Sequence, residues 1–272
     1  MKFVSWNGHL VPEAQPLFTA GNPSFKWGEG IFETIRVHKG SIPLWHLHAE
    51  RLWSGLSLLG IEQGDMSKAS LEMEILKLCR FNRCDGAARV RLSLFRGNEG
   101  GPAYAIEAMP LPETLANWHD EGWKIGLYKD AVKSFDSFSH LKTASYLPYA
   151  LAARYAAVAG LDEVLLLNPN GGICDGSKTN IFILSEGTII TPGLDQGCIG
   201  GVMRRWLTEK LPSMNYLVLE QPLDQETLAG ADEIFLTNAL VGLRWVSRFE
   251  GRHYGFRHSR LIYDKISSTI WR

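Results

Sequence analysis

Short runs of strand-forming residues, closed by glycine-containing turns, constrain the fold of this chain more than any other feature. Gly30–Val37 is rich in β-branched and aromatic residues, and Ala88–Phe95 alternates apolar with polar residues. An Asn-Gly pair separates Phe3–Trp6 from His9–Val11, which is the turn signal of a β-hairpin. The first part of the chain is therefore expected to contain a β-sheet.

Two helical patterns lie between these strands. Leu47–Leu59 carries apolar residues at helical spacing and ends at Gly60, a residue suited to a helix C-terminus. Met66–Cys79 is predicted as a second helix, with Ser67 or Ser70 as its cap. Because strands and helices are both present, this half is predicted to be α+β.

The second half is predicted to continue with strands and helices. The predicted strands are Trp123–Tyr128, Glu163–Leu167, Thr179–Leu184, Thr188–Thr191 and Glu233–Leu236, and the predicted helices are Tyr146–Ala159 and Val202–Leu211. Thr237-Asn-Ala239 is predicted as the loop after the last of these strands, and no element is predicted after Tyr254.

Length and proline content suggest two domains. A chain of 272 residues exceeds the usual single domain of about 100–150 residues. Pro110 and Pro112 lie in Met109–Asp120, which is predicted to be the inter-domain linker. The expected domains are 1–112 and 113–272.

Composition excludes several classes of function. The 28 basic and 29 acidic residues balance, so neither nucleic acid nor an anionic membrane is an expected partner. No signal peptide and no membrane-spanning run is expected from the hydropathy. The 4 cysteines form no CxxC pair, which favours a reducing cytoplasm over a disulfide framework and predicts no metal site.

Lys142 has two readings. Most lysines are solvated surface charges. Lys142, however, lies between a loop rich in Ser and Asp (134–139) and an apolar helix, where burial would lower the pKa of its amine. A neutral amine is the nucleophile that an aldehyde cofactor requires, so Lys142 is a candidate for such a bond.

Three other features have both an ordinary and a functional reading. Asp175 is either a turn residue before a glycine or a carboxylate for a protonated pyridine nitrogen. The glycine-rich Gly197–Met203 is either an ordinary helix start or a site where backbone N–H groups bind an anion. Arg51 is either a surface charge or a phosphate-binding fork.

Gly28–Arg36 resembles the GDGxFETIR strand of the class IV, or fold type IV, pyridoxal-phosphate aminotransferases. Further blocks in the same order are similar to that family, and the resemblance runs from about Asn7 to Val246. They are 48–52, 89–92, 141–146, 162–167, 177–182, and 191–194 with 201–204. The family includes branched-chain aminotransferases, D-amino-acid transaminases and aminodeoxychorismate lyases.

The resemblance implies a fold and a set of roles. The expected fold has a smaller N-terminal α+β sheet domain and a larger barrel-like α/β domain, with active sites at their junction in a homodimer. Lys142 matches the Schiff-base lysine and Arg51 the phosphate-binding arginine. Tyr146 matches the tyrosine that binds the ring hydroxyl, and Asp175 the ring-nitrogen partner. The remaining implied positions are Val202, Met203, Asn238 and Ala239 for the cofactor, and Phe32, Arg91 and Thr237 for the substrate.

Departures from the family leave the reaction open. Asp175 replaces the usual glutamate, and Ala239 replaces a threonine of the branched-chain members. At Glu33 the sequence is similar to the aminotransferase members of the family, whereas at Thr237–Leu240 it is similar to the aminodeoxychorismate lyases. The expected reaction is amino transfer between an amino acid and a 2-oxo acid, with aminodeoxychorismate lyase as the alternative. A non-catalytic descendant that binds cofactor or a partner without turnover is the third hypothesis, against which Lys142, Arg51 and Tyr146 argue.

Overall fold

The computed structural model of the chain describes residues 2–98 and 100–271. These residues form two compact units. Residues up to Leu115 form the first unit together with Leu141–Ser145, and Ala116–His140 with the chain from Tyr146 onwards form the second. The boundary after residue 112 stays a prediction. None of the helices in the described ranges is both long and apolar enough to cross a membrane.

Within the described residues, the first unit has one antiparallel sheet of five strands in the order β2-β1-β5-β4-β3. Its strands are β1 (Phe3–Trp6), β2 (His9–Pro12), β3 (Gly30–His38), β4 (Ala87–Arg96) and β5 (Pro102–Pro110). Its helices are α1 (Pro23–Trp27), α2 (Trp45–Leu58) and α3 (Lys68–Phe81). The predicted hairpin, strands and two long helices are all present.

Local sequence signals explain these bounds. Ser67 caps α3, and its hydroxyl and that of Ser70 form a reciprocal capping box, so both predicted caps are used. Gly60, just after α2, has a left-handed φ of 62°. The core under the sheet is built from apolar residues of β3 and β4 and of the two helices; among its fully buried members are Ile35, Leu52, Leu56, Ile75, Leu78 and Leu92.

The linker predicted at Met109–Asp120 is wrong in part. Met109 and Pro110 are the last residues of β5 and pair with Arg89 and Ala88. Glu113–Ala116 then forms a short 3₁₀ helix. Prolines marked this stretch as irregular, but a proline is compatible with a strand terminus, where it ends the ladder.

The described part of the second unit contains one curled, mixed sheet of nine strands. Its order is β11-β10-β9-β12-β13-β6-β7-β8, with β14 attached to β13. The strands are β6 (Trp123–Val132), β7 (Glu163–Leu167), β8 (Ile173–Gly176), β9 (Asn180–Ser185), β10 (Thr188–Thr191), β11 (Leu217–Glu220), β12 (Glu233–Asn238), β13 (Gly242–Phe249) and β14 (Arg252–His253). The helices are α4 (Leu147–Val158), α5 (Val202–Lys210), α6 (Gln225–Gly230) and α7 (Arg257–Ile270).

The sheet of this unit brings together strands that are far apart in sequence. β13 pairs with β12 in antiparallel fashion and with β6 in parallel fashion, so the start and the end of the unit share one sheet. Apolar side chains of this sheet form a fully buried core that includes Leu165, Ile181, Ile183, Ile234 and Leu236. The α+β fold with a smaller N-terminal sheet unit is confirmed.

Candidate active site

Lys142 lies beside β3 in the first unit. The backbone N–H of Phe32 donates to the Lys142 carbonyl at 2.9 Å, and the N–H of Ala144 donates to the Gly30 carbonyl at 2.8 Å. Thr143 forms a bridge with Ile31. The segment is therefore held as a short extension of the sheet. Helix α4 begins only at Leu147, so Lys142 lies between the 134–139 loop and the apolar helix, as the sequence indicated.

The Lys142 side chain is partly buried against an aromatic ring. Its Nζ lies 4.6 Å from the centroid of the Phe32 ring. Arg91, on the adjacent strand β4, places its guanidinium carbon 3.7 Å from the same centroid, and its Nε donates to Ser93 Oγ at 3.2 Å. The face of a π-system attracts cations, so Phe32 holds both groups on one face of β3 and β4.

Arg51 is oriented by a buried carboxylate. Its Nε donates to Glu33 Oε1 at 2.7 Å and its Nη2 to Glu33 Oε2 at 2.5 Å, which is a bidentate pair. His48 Nδ1 lies 2.8 Å from Glu33 Oε2. Burial alone would raise the pKa of the Glu33 carboxyl, but Arg51 and then His48 outweigh it and lower that pKa to about 2. The pair therefore fixes one edge of the Arg51 fork, and Arg51 lines a small cavity together with Lys142.

Asp175 lies on β8 in the second unit and is buried. The Tyr149 hydroxyl lies 3.1 Å from Asp175 Oδ1 and 3.0 Å from Oδ2, to which it donates, and the backbone N–H of Ile199 donates to Oδ2 at 2.8 Å. Burial first, and then the charge of Asp175, raise the pKa of Tyr149 well above its ordinary value. Asp175 is thus an interior carboxylate held by two donors and not a turn residue facing water.

Tyr146 stands next to Tyr149. Their rings stack with centroids 4.4 Å apart and planes 16° from parallel. The Tyr146 hydroxyl donates to the carbonyl of Ser177 at 3.1 Å. Because residues three apart on a helix share a face, the start of α4 presents both phenols to the Asp175–Ser177 segment.

Val202 and Met203 form the first turn of α5, whose N-cap is Gly201 with no side-chain cap. A helix start without a side-chain cap leaves its N–H groups to other acceptors, with the dipole favouring an anion. A Cβ on Gly201 would lie 1.8 Å from Asn180 Oδ1, so any other residue there would require α5 or the Asn180 side chain to shift. The predicted anion-binding geometry of the helix start is therefore available in the backbone.

Thr237, Asn238 and Ala239 stand at the end of β12. The predicted loop is wrong in part, because the strand includes Thr237 and Asn238 and only Ala239 lies in the turn. Asn238 Oδ1 accepts from the N–H groups of Leu240 and Val241 at 2.9 and 3.0 Å. The hydroxyl of Thr237 is buried and has no hydrogen-bond partner among the described residues.

Sequence reasoning missed three residues of these clusters. Glu33 was considered only as a feature that separates two branches of the family, and His48 only as part of the matched block 48–52, although Glu33 holds Arg51 and His48 hydrogen-bonds to Glu33. Tyr149 was counted only as part of an apolar helix. Its spacing of three from Tyr146 is the signal that would have placed it on the same helical face. Among the described residues, no group of three or more His, Cys, Asp or Glu residues could hold a metal ion.

Solved structures share this fold. A branched-chain aminotransferase from Thermoproteus uzoniensis, solved with norvaline, matches 99% of this chain and 95% of its own with a TM-score of 0.88 and 22% identity. A hypothetical aminotransferase from Mycobacterium tuberculosis in its PLP-bound form matches 98% of each chain with a TM-score of 0.86 and 19% identity.

Sequence relatives cover nearly the whole chain. A probable branched-chain-amino-acid aminotransferase from Synechocystis is 30% identical, over 99% of this chain and 89% of its own length. An aminodeoxychorismate lyase from Bacillus subtilis is 29% identical over 95% of this chain and 92% of its own. The pattern that defines the amino-transferase class IV family matches residues 30–249. The chain therefore belongs to the class IV aminotransferase family, whose enzymes depend on pyridoxal phosphate.

Proposed function

We propose that this chain moves an amino group between an amino acid and a 2-oxo acid, with Lys142 holding pyridoxal phosphate. The observation that carries the proposal is that Lys142 and Arg51 line the same small cavity. An amine can bond to an aldehyde carbon, and a planar guanidinium can bind a phosphate. The first unit thus offers one group for each reactive part of the cofactor: the Lys142 amine for its aldehyde and the Arg51 guanidinium for its phosphate.

Groups in the second unit also fit such a ligand. Asp175 offers a buried carboxylate for a protonated ring nitrogen. The start of α5 offers N–H groups for phosphate, and the buried Thr237 hydroxyl has no partner among the described residues. A native protein pairs nearly all of its buried polar groups, so an orphaned hydroxyl next to Asn238 and Ala239 supports a bound ligand there.

Each proposed residue has a defined chemical task. When bound, pyridoxal phosphate supplies an electron sink for the bond that breaks at the substrate α-carbon. Arg51 binds phosphate through its fork, aided by the N–H groups of Val202 and Met203 and by the loop at Asn238 and Ala239. Lys142 Nζ would take the α-proton of the substrate as general base and then, as general acid, donate it to the carbon that carried the aldehyde.

The remaining roles concern orientation. Asp175 balances the positive charge of the ring nitrogen. The Tyr146 hydroxyl, which donates to Ser177, can also accept a hydrogen bond from the ring hydroxyl. Arg91, Phe32 and Thr237 are proposed to contact the substrate, with the Arg91 guanidinium reading a carboxylate.

Covalent trapping tests the shared part of the proposal. Borohydride treatment of the holoenzyme should abolish its visible absorption band and leave reduced cofactor on the Lys142 peptide. Lys142→Ala should show no such band, whereas Lys68→Ala, which changes an exposed lysine, should match the wild type. An unchanged spectrum in Lys142→Ala would contradict the proposal.

An aminodeoxychorismate lyase is the second candidate. Thr237–Leu240 resembles that branch, and the Bacillus subtilis relative carries that name. A panel of amino acids with 2-oxoglutarate separates the two reactions. Conversion of the bound cofactor to its pyridoxamine spectrum supports amino transfer. Silence across the panel, together with pyruvate release from aminodeoxychorismate, supports the lyase.

We also propose that the chain acts as a homodimer in the cytoplasm. Phe25 and Trp27 on α1 are 75% and 76% exposed, and two such aromatic side chains are the kind of surface that a second copy covers. All four cysteines are unpaired and buried, which suits a reducing compartment. Sedimentation should show a dimer for the wild type and a smaller species for a Phe25→Ser, Trp27→Ser variant; a monomeric wild type would contradict the dimer.

A further inference from the structure

The carboxylate of Asp175 is held from α4 by a tyrosine. Tyr149 lies in the first turn of that helix and is 5% exposed. Its hydroxyl lies 3.1 and 3.0 Å from the two carboxylate oxygens. We propose that Tyr149 is a positioning residue, which acts through Asp175 to keep the proton of the cofactor on its ring nitrogen. The inference rests on the proposed function, because it requires Asp175 to face that nitrogen.

Two features make the position of Tyr149 well defined. Its ring is stacked on Tyr146, whose own hydroxyl is bound to the Ser177 carbonyl. Lys133, a buried lysine, places Nζ 5.4 Å from the centroid of the Tyr149 ring and donates to the carbonyls of Ser139 and Gly197. The phenol is therefore packed within the second unit and cannot turn away from Asp175 without breaking these contacts.

The protonation state of Tyr149 determines whether its hydroxyl can donate a hydrogen bond to Asp175. Burial and the neighbouring carboxylate raise the pKa of Tyr149, so its hydroxyl stays protonated and acts as a donor. The N–H of Ile199 is a second donor to the same carboxylate. Donors that bind the ionised form of a carboxyl group make it a weaker base.

This weakening has a direct consequence for a pyridine ring. When a carboxylate and a ring nitrogen share one proton, the proton stays on the nitrogen only if the carboxylate is the weaker base. Asp175 is one methylene shorter than glutamate and has fewer positions in which to meet a ligand. A carboxylate has about four acceptor positions, so it can bind the phenol, the Ile199 N–H and a ring N–H together. Tyr149 thus fixes both the position and the basicity of the shorter side chain.

Nitrogen-15 spectroscopy tests the inference without measuring turnover. The holoenzyme would be reconstituted with pyridoxal phosphate labelled at the ring nitrogen, and its chemical shift recorded for the wild type and for Tyr149→Phe. We expect the wild type to show a protonated ring nitrogen. In Tyr149→Phe the signal should move towards the unprotonated value, and the dissociation constant of the cofactor should rise about tenfold, equivalent to about 1.4 kcal/mol.

Three further variants complete the experiment. Tyr155→Phe, on the exposed side of the same helix, should leave the shift unchanged. Asp175→Asn should move it strongly, and adding Tyr149→Phe to Asp175→Asn should change it little further, because the tyrosine acts through the carboxylate.

The outcomes separate this inference from the proposed function. A shift that moves with Asp175→Asn but not with Tyr149→Phe would overturn the inference and leave the function intact. Additive effects of the two substitutions would also overturn it. A shift that Asp175→Asn does not change would remove the role of Asp175 and the inference with it. A wild type that binds no cofactor would overturn the proposed function itself.

Discussion

At the scale of single residues, Glu33 is the most unusual feature of the first unit. It lies on the face of β3 that Ile31, Ile35 and Val37 present to the core, where its charge is balanced by Arg51 and it also shares a hydrogen bond with His48. A buried carboxylate without a partner is costly, whereas one held by a bidentate arginine is tolerated. The residue therefore joins the stability of the unit to the orientation of Arg51.

We predict that Glu33→Gln destabilises the protein by about 3 kcal/mol or more, because it leaves Arg51 partly buried without its counter-charge. Urea unfolding followed by circular dichroism measures this loss. Glu29→Gln is the matched control, since it breaks a half-exposed pair with Arg96 and should cost less than about 1 kcal/mol. Equal losses in the two variants would contradict the prediction.

The pH dependence of the same variant gives an independent check. The pKa of Glu33 falls from 4.5 to about 2 on folding, so its stabilisation is complete above about pH 4.5 and is lost as the pH falls towards 2. The difference in unfolding free energy between the wild type and Glu33→Gln should therefore be constant near neutral pH and should narrow below pH 4.5. A difference that widens in acid would have the wrong sign.

At the scale of elements, the sequence predicted the turns and helix caps that depend only on neighbouring residues. The Asn7-Gly8 hairpin and the capped helix α3 both depend on residues adjacent in sequence. Strand β5 was missed, and its last residues were assigned to the linker because of Pro110. Helix α7 was missed although Ile262, Ile266 and Ile270 repeat every four residues along it.

Gly201 shows how an element depends on a contact distant in sequence. Its φ of −64° is open to any residue, so the glycine is required only by Asn180 Oδ1, which a Cβ would approach to 1.8 Å. We predict that Gly201→Ala costs about 1–3 kcal/mol of stability and weakens cofactor binding, because the clash is relieved only if α5 moves or Asn180 gives up the hydrogen bond from its Nδ2 to the Ile199 carbonyl. Gly230→Ala is the control, because a Cβ there meets open space. It should change neither the stability, measured by thermal unfolding, nor the cofactor affinity, measured by fluorescence titration. A Gly201→Ala variant equal to this control would contradict the clash.

At the scale of the whole molecule, the order of the site residues was predictable and their neighbours were not. Arg51, Lys142 and Asp175 follow one another along the sequence in the order that the resemblance requires. Their partners Glu33 and Tyr149 meet them only through packing, across 18 and 26 residues of sequence respectively. Sequence periodicity reports which face of an element is buried, but not which side chain of another element it meets. The second-unit sheet likewise joins β6 to β13 across more than a hundred residues.

Around Lys142 the chain passes from the second unit into the first and then back into the second. Leu141–Ser145 belongs to the first unit, although the residues before and after it belong to the second. We predict that the amide hydrogens of Ala144 and Phe32, which bond across β3 and this segment, exchange as slowly as those inside β3. Hydrogen exchange resolved by NMR measures this directly. The N–H of Phe138, which donates to the Asp136 side chain in an exposed turn, should exchange much faster. If Ala144 exchanged as fast as Phe138, the segment would be a loop and β3 would not position Lys142.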